Sequence, residues 1–264
     1  MKYIFLFTIF CTIFAGFIYA EWQEEGLKGK FYDGRFMVFS FDYESAEEIG
    51  LKVRDVYNKV IEDIGYWGAF KNKYQILIWK NKEEFLKFLK KQNINISFES
   101  SAIALYNWKS MPTILGYYSQ NFLTKFLPHE FTHLILSEAL QIEGEKIPLW
   151  INEGLACFEE GGSIESLHKF LSKFIKQNNY IKLKELIYIK EYPTDTTKLQ
   201  LFYAQSQSLV GFLINKRHKK DTFFSFLRWY VVKEYNFLQS YLYAYGEYVN
   251  LEEIEKQWIE YVCK

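Results

Sequence analysis

The sequence predicts an α+β fold: a small N-terminal sheet with helices, a central helix pair and a helical C-terminal lobe. Three observations predict it. Runs of strand character fall at 35–42, 74–79, 102–106 and 113–118, all in the first half of the chain. Pro128 and Pro148 each stand at the start of a strongly apolar segment in mid-chain. Beyond Ser163 only helical periodicity remains. With 264 residues and 49% apolar content, the chain can build one large domain or one domain of two lobes.

Each element has its own signal. Residues 21–34 are polar and contain glycine, and read as a linker. Arg-Phe-Met-Val-Phe-Ser-Phe-Asp at 35–42 alternates as a strand does. Ser45-Ala46-Glu47-Glu48 is a capping box that opens a helix. Ala46, Ile49, Val53, Val56, Val60 and Ile64 then repeat every three or four residues and form one apolar face. Tyr74 to Trp79 reads as a buried strand, and Asn81 as the cap of a helix through Phe85 and Phe88. Strands at 102–106 and 113–118 are joined by a turn from Asn107 to Pro112.

Proline is accepted in the first turn of a helix. The next helix therefore starts near 127 or is kinked there, and Leu134, Ile135, Leu136 and Leu140 bury it. Pro148 opens a second helix that ends at Gly161-Gly162. Helical patterns follow at 164–177, 197–217, 221–234, 236–245 and 250–262. The lobes are 35–127, 128–162 and 163–264. Most of the aromatic residues, a fifth of the chain, belong to the core.

Lys2, an almost wholly apolar run over 3–19 and Ala20 mark residues 1–20 as a targeting segment. Residues 3–20 extend about 27 Å as a helix, near the thickness of a bilayer core. The segment reads either as a cleaved signal peptide or as a retained membrane tether. Both place the domain outside the cytoplasm, secreted, periplasmic or anchored. A formal net charge of zero excludes the basic surplus that nucleic-acid binding requires. The basic run at 216–220 reads as a solvated helix end. Cys11 lies in the targeting segment, while Cys157 and Cys263 read as small buried apolar side chains. His168 and His218 read as surface residues.

The chemistry gathers in His129-Glu130-Phe131-Thr132-His133, with Asn152-Glu153-Gly154 beginning nineteen residues after His133. Imidazoles four residues apart on a helix share a face and can grip one metal ion. A carboxylate beside the first histidine can reach a water at the metal, and a second one farther on completes a three-ligand set. Zinc brings the pKa of water from 15.7 to about 7. The bland reading is a helix whose His and Glu only meet solvent, but two of the four histidines stand in this one motif.

His129-Glu130-x-x-His133 with Pro-x-Trp-Ile-Asn-Glu-Gly-Leu-Ala at 148–156 resembles the gluzincin metallopeptidases, and is similar above all to the peptidase MA-like proteins. The resemblance covers most of 35–262, with specific motifs at 128–160 and around Tyr203. It implies a zincin-like fold, a single zinc ion on His129, His133 and Glu153, and Glu130 as general base. It implies that Tyr203 stabilises the oxyanion, although in a chain with 21 tyrosines a core role stands beside that one. Asn152 reads as a support for a ligand or as a helix-start residue. Gly154 reads as the point where the two ligand helices approach. A strand before the metal helix, 102–106 or 113–118, would pair with extended substrate.

The aminopeptidase branch grips the substrate amine with an upstream glutamate. Here Ala104-Leu105-Tyr106-Asn107 stands in that region, and no acidic residue occurs from 100 to 127. The expectation is therefore an exported zinc metallopeptidase acting on peptides or proteins, an endopeptidase rather than an aminopeptidase. The alternative is a zinc-stabilised, non-catalytic binding module at the cell surface.

Overall fold

The computed structural model describes residues 22–264 except 24, 67, 69, 96–100, 120, 217, 218 and 220. The targeting segment, with Cys11, and His218 lie outside the described residues, as does part of the basic run at 216–220. Among the described residues no helix is long and apolar enough to cross a membrane. The architecture is α+β and consistent with a zincin-like fold. The chain divides into two units. Of the described residues, one unit holds those up to Arg54 together with Asn72–Leu123, and the other holds those of Asp55–Lys71 and Thr124–Lys264.

The first unit is built on a five-stranded sheet in the order β1-β2-β3-β5-β4. Its strands are β1 (Gly29–Tyr32), β2 (Phe36–Ser40), β3 (Tyr74–Trp79), β4 (Ala102–Trp108) and β5 (Met111–Tyr117). β3 lies parallel to β2 and β5, and the outer strands β1 and β4 run antiparallel to their neighbours. Every residue of β3 is buried, as its unbroken Tyr-Gln-Ile-Leu-Ile-Trp run requires of a central strand.

Residues 29–32 correct the linker expectation. They pair with β2, and Trp22 and Leu27 before them are core. A four-residue edge strand is too short and polar to stand out by alternation. The β4–β5 turn is also tighter than expected. Lys109 and Ser110 alone form it, both with positive φ (48° and 69°), while Asn107 and Pro112 are in the strands. Pro112 is tolerated beside the register shift between Leu105 and Trp108.

Helix α1 (Tyr43–Ile64) buries the predicted stripe: Ala46, Ile49, Val53, Val60 and Ile64 are fully buried and Val56 is nearly so. It starts before the capping box, because Asp42 Oδ1 accepts from Ser45 N at 2.8 Å. Asn81 caps α2 (Lys82–Lys91) as expected, its side chain accepting from Glu84 N at 3.0 Å. Phe85 and Phe88 of α2 join Trp22, Phe39 and Trp79 in the core of this unit, with Trp79 and Phe88 stacked at 4.3 Å.

A π-turn over Phe122–Phe126 runs directly into α3 (Leu127–Leu140) of the second unit, with Pro128 in its first turn. Both sequence options for Pro128 are partly right. The α-helix begins at 127, and a distorted turn precedes it where proline removes a donor. Pro148 precedes α4 (Leu149–Glu159), which stops at Gly161 and Gly162 in left-handed conformations. Then come α5 (Ile164–Lys176), α6 (Leu183–Leu186), α7 (Thr196–Asn215), α8 (Thr222–Leu227), a π-turn (Arg228–Val232), α9 (Phe237–Tyr245) and α10 (Leu251–Cys263). Among the described residues, the four-residue α6 and a 3-10 turn at Gly144–Lys146 have no counterpart in the expected pattern.

The metal-motif helices belong with the helical lobe, and so does the second half of α1. Tyr57 packs on Phe131 of α3 and Lys59 pairs with Glu159 of α4. Apolar periodicity along α1 states that a face is buried, not which partner covers each end. Trp150 anchors α4 among Tyr230 and Phe237.

α4 packs against both α3 and α7. Its glycine serves the second contact. A Cβ on Gly154 would stand 2.5 Å from the Ser206 carbonyl oxygen and 2.9 Å from Val210. The close approach therefore belongs to α4 and α7, rather than to α3 and α4. Gly154→Ala should lower stability by about 1–3 kcal/mol through overpacking. Gly211→Ala in α7, where the new methyl meets Phe158 and Tyr261 at 3.4 Å, should be neutral or stabilise by up to about 1 kcal/mol. Urea unfolding of the two variants measures the contrast.

Candidate metal centre

His129 and His133 leave the same face of α3 one turn apart, their rings 4.9 Å between centroids and nearly perpendicular. Glu153, in the second turn of α4, comes to meet them. Its Oε2 is 3.5 Å from His129 Nε2, and its Oε1 is 4.0 Å from His133 Nε2. One donor atom from each of the three lies within 4.8 Å of the others. Two donors held 2.0–2.1 Å from a tetrahedral zinc stand about 3.4 Å apart, so the spacing and the two-nitrogen, one-oxygen chemistry suit that ion.

The electrostatics point the same way. His133 and Glu153 are buried. Burial raises the Glu153 carboxyl, but its contact with His129 and the nearby His133 outweigh this and hold it below the usual carboxylate range. Burial opposes charge on His129, yet bonds to Cys157, Glu153 and Glu160 and the charge of Glu130 raise it well above the usual value. Burial lowers His133, against the pull of Glu153. Four groups thus stabilise a positive charge at the His129 ring, and a metal taking its place would have to displace the proton.

The outer nitrogens of the imidazoles are held as well. His133 Nδ1 lies 2.9 Å from Asn152 Oδ1, which decides between the two readings of Asn152. An amide oxygen accepts, so Nδ1 carries the proton and Nε2 keeps its lone pair toward the centre. His129 Nδ1 lies 2.6 Å from Glu160 Oε1. Sequence reasoning missed Glu160. The signal was present, because Glu153 and Cys157 share one face of α4 at i and i+4, and Glu160, just past its end, follows at i+7. His129, Cys157 and Glu160 also bring three donor atoms within 4.8 Å of one another. Cys157 is therefore no inert core residue. Cys263 is exposed, which corrects the expectation of burial, and neither forms a disulfide. His168 is half-buried beside Tyr261 rather than on the open surface.

Two tyrosines complete the surroundings. Tyr203, from α7, is half-buried, and burial followed by the charge of Glu153 pushes its phenol up to about 12. The charge of Glu130 acts on it in the same direction. Tyr192, which the sequence did not single out, donates to Glu153 Oε1 at 2.7 Å. Its ring stacks on Tyr203 at 6.2 Å. It lies in an irregular segment between α6 and α7, where no periodicity marks it.

Residues 112–264, more than half of the chain, match the peptidase MA superfamily. The chain belongs to that superfamily. The matched region contains α3, α4 and α7, and so every residue of the centre described above. Membership supports a metallopeptidase-type function acting on peptide or protein substrates. No curated protein matches the chain.

Farther along α4 of this peptidase MA protein, Glu159 pairs with Lys59 and not with the centre. Its carboxyl is 1% exposed, whereas the Lys59 side chain is 52% exposed, so burial dominates on the acid. It pushes Glu159 up to about 7, against Lys59 and with help from Asp63. An acid raised in the folded state stabilises most below its unfolded pKa, and that contribution is lost as pH rises through the folded value. Between pH 4.5 and 7 the Glu159 contribution should decline by on the order of 2–3 kcal/mol. Glu159→Gln should remove that part of the slope, read from urea midpoints across this range.

Proposed function

We propose that the chain is an exported zinc-dependent endopeptidase with Glu130 as general base. The observation that carries this reading is the convergence of donor atoms from His129, His133 and Glu153 beside the Glu130 turn of α3. A zinc ion held by these three residues supplies Lewis acidity and brings the pKa of water to about 7. Glu130 accepts the proton of the attacking water and returns it to the leaving amine. Asn152 and Glu160 hold the two imidazoles in orientation through their Nδ1 atoms. Tyr203, kept protonated by its raised pKa, donates to the oxyanion that develops at the scissile carbonyl. The absence of an acidic residue from 100 to 127 removes the usual grip on a substrate amine, which favours internal cleavage. The apolar run at 3–20 supports action outside the cytoplasm, after cleavage of the segment or tethered by it.

One observation favours the non-catalytic binding module. His129 with Cys157 and Glu160 forms a second set of three donor atoms within 4.8 Å of one another, and a metal closed in there by protein ligands would be structural. The Glu130→Gln variant separates the two readings. It should bind one zinc per chain, as the wild type does, while its kcat/KM on a denatured protein substrate falls by about 10²–10⁴-fold. His133→Ala should lose the metal. Cleavage by Glu130→Gln at the wild-type rate would remove the general-base reading.

A further inference from the structure

Tyr192 reaches the centre from outside any regular element. The chain arrives there after α6, and Pro193 then restricts Tyr192 to extended backbone. Asp195 caps α7 by accepting from Lys198 N at 2.8 Å, which pins the segment three residues beyond the tyrosine. The ring rests edge-on against Phe202 at 6.4 Å and stacks on Tyr203. Although 49% of the residue is exposed, its hydroxyl is turned inward to Glu153 Oε1 at 2.7 Å. The two oxygens of Glu153 therefore have different neighbours. Oε1 accepts from Tyr192 and stands 4.0 Å from His133 Nε2, while Oε2 faces His129 Nε2 at 3.5 Å.

We propose that Tyr192 is a positioning residue for the metal centre: it engages Glu153 Oε1 so that the carboxylate offers the metal Oε2 alone. This inference rests on the reading of His129, His133 and Glu153 as zinc ligands. A carboxylate that can turn will offer a metal one oxygen or two, and a second oxygen takes the position a water needs. A phenol hydrogen bond to one oxygen removes that choice and fixes the carboxylate plane. The two stacked tyrosines then divide their work. Tyr192 acts on the ligand, and Tyr203 acts on the reacting carbonyl.

The test compares Tyr192→Phe with Tyr203→Phe in the full chain. Phenylalanine keeps the ring contacts to Phe202 and Tyr203, so a packing role alone leaves the metal readouts unmoved. Tyr192→Phe should lower zinc affinity about 10–100-fold in competition with a chromogenic chelator. It should also change the visible absorption of the cobalt-loaded protein, which reports coordination number. Tyr203→Phe should keep both and lose kcat. Wild-type zinc affinity together with an unchanged cobalt spectrum in Tyr192→Phe would overturn the role of Tyr192 while leaving the zinc site intact. A wild type that takes up no zinc, or a His133→Ala variant that binds as well as the wild type, would overturn the ligand reading and this inference with it.

Discussion

A carboxylate buried in the helical unit is the constraint on which the arrangement depends. Glu153 is only 4% exposed, and an ionised carboxyl that deep must be compensated or it takes up a proton. Two imidazoles and a phenol compensate it. For them to meet it, α4 must be held within about an ångström of its position. That task falls to residues without chemistry of their own: Gly154 against the Ser206 carbonyl, Trp150 among the rings of the C-terminal helices, and Pro148 at the start of the helix. Core and centre are thus one structure, in which packing sets distances and charge makes use of them.

The second layer extends the same logic. Each imidazole turns its Nε2 inward because its Nδ1 is occupied, by Asn152 on one ring and Glu160 on the other. The acceptors differ, and so does their effect. On His133 burial outweighs the pull of Glu153 and the bond to Asn152, while on His129 the bonds to Cys157, Glu153 and Glu160 outweigh burial. The two inward nitrogens are therefore not electrostatically equivalent, although the motif presents them as a symmetric pair.

Some of this was legible from residue types and spacing. The α1 stripe, the cap at Asn81, the buried run of β3 and the helix ends at Pro148 and Gly161-Gly162 are local features, and local rules describe them well. Where a signal depends on contrast with its surroundings, short elements escape, as β1 and α6 did. The expected lobes also misplaced the second half of α1, because a helix face records burial without recording its partner. Asn152 shows the intermediate case. Its position next to Glu153 suggested two roles, and the 2.9 Å contact to His133 selects one.

The sequence by itself determined the α+β class, the two central helices and the His-Glu-x-x-His and Glu153 pair, since helical spacing alone puts two imidazoles on one face. It also determined the family, because those motifs lie close together in the chain. Only the tertiary structure decided what surrounds them. Glu160 meets His129 from two turns beyond Glu153, Tyr192 arrives from an irregular segment 39 residues after Glu153, and Gly154 serves α7 rather than α3. The physical reason is range. Periodicity fixes which side chains share a face of one element, whereas contacts between elements are fixed by how faces pack, and packing leaves no regular interval along the chain.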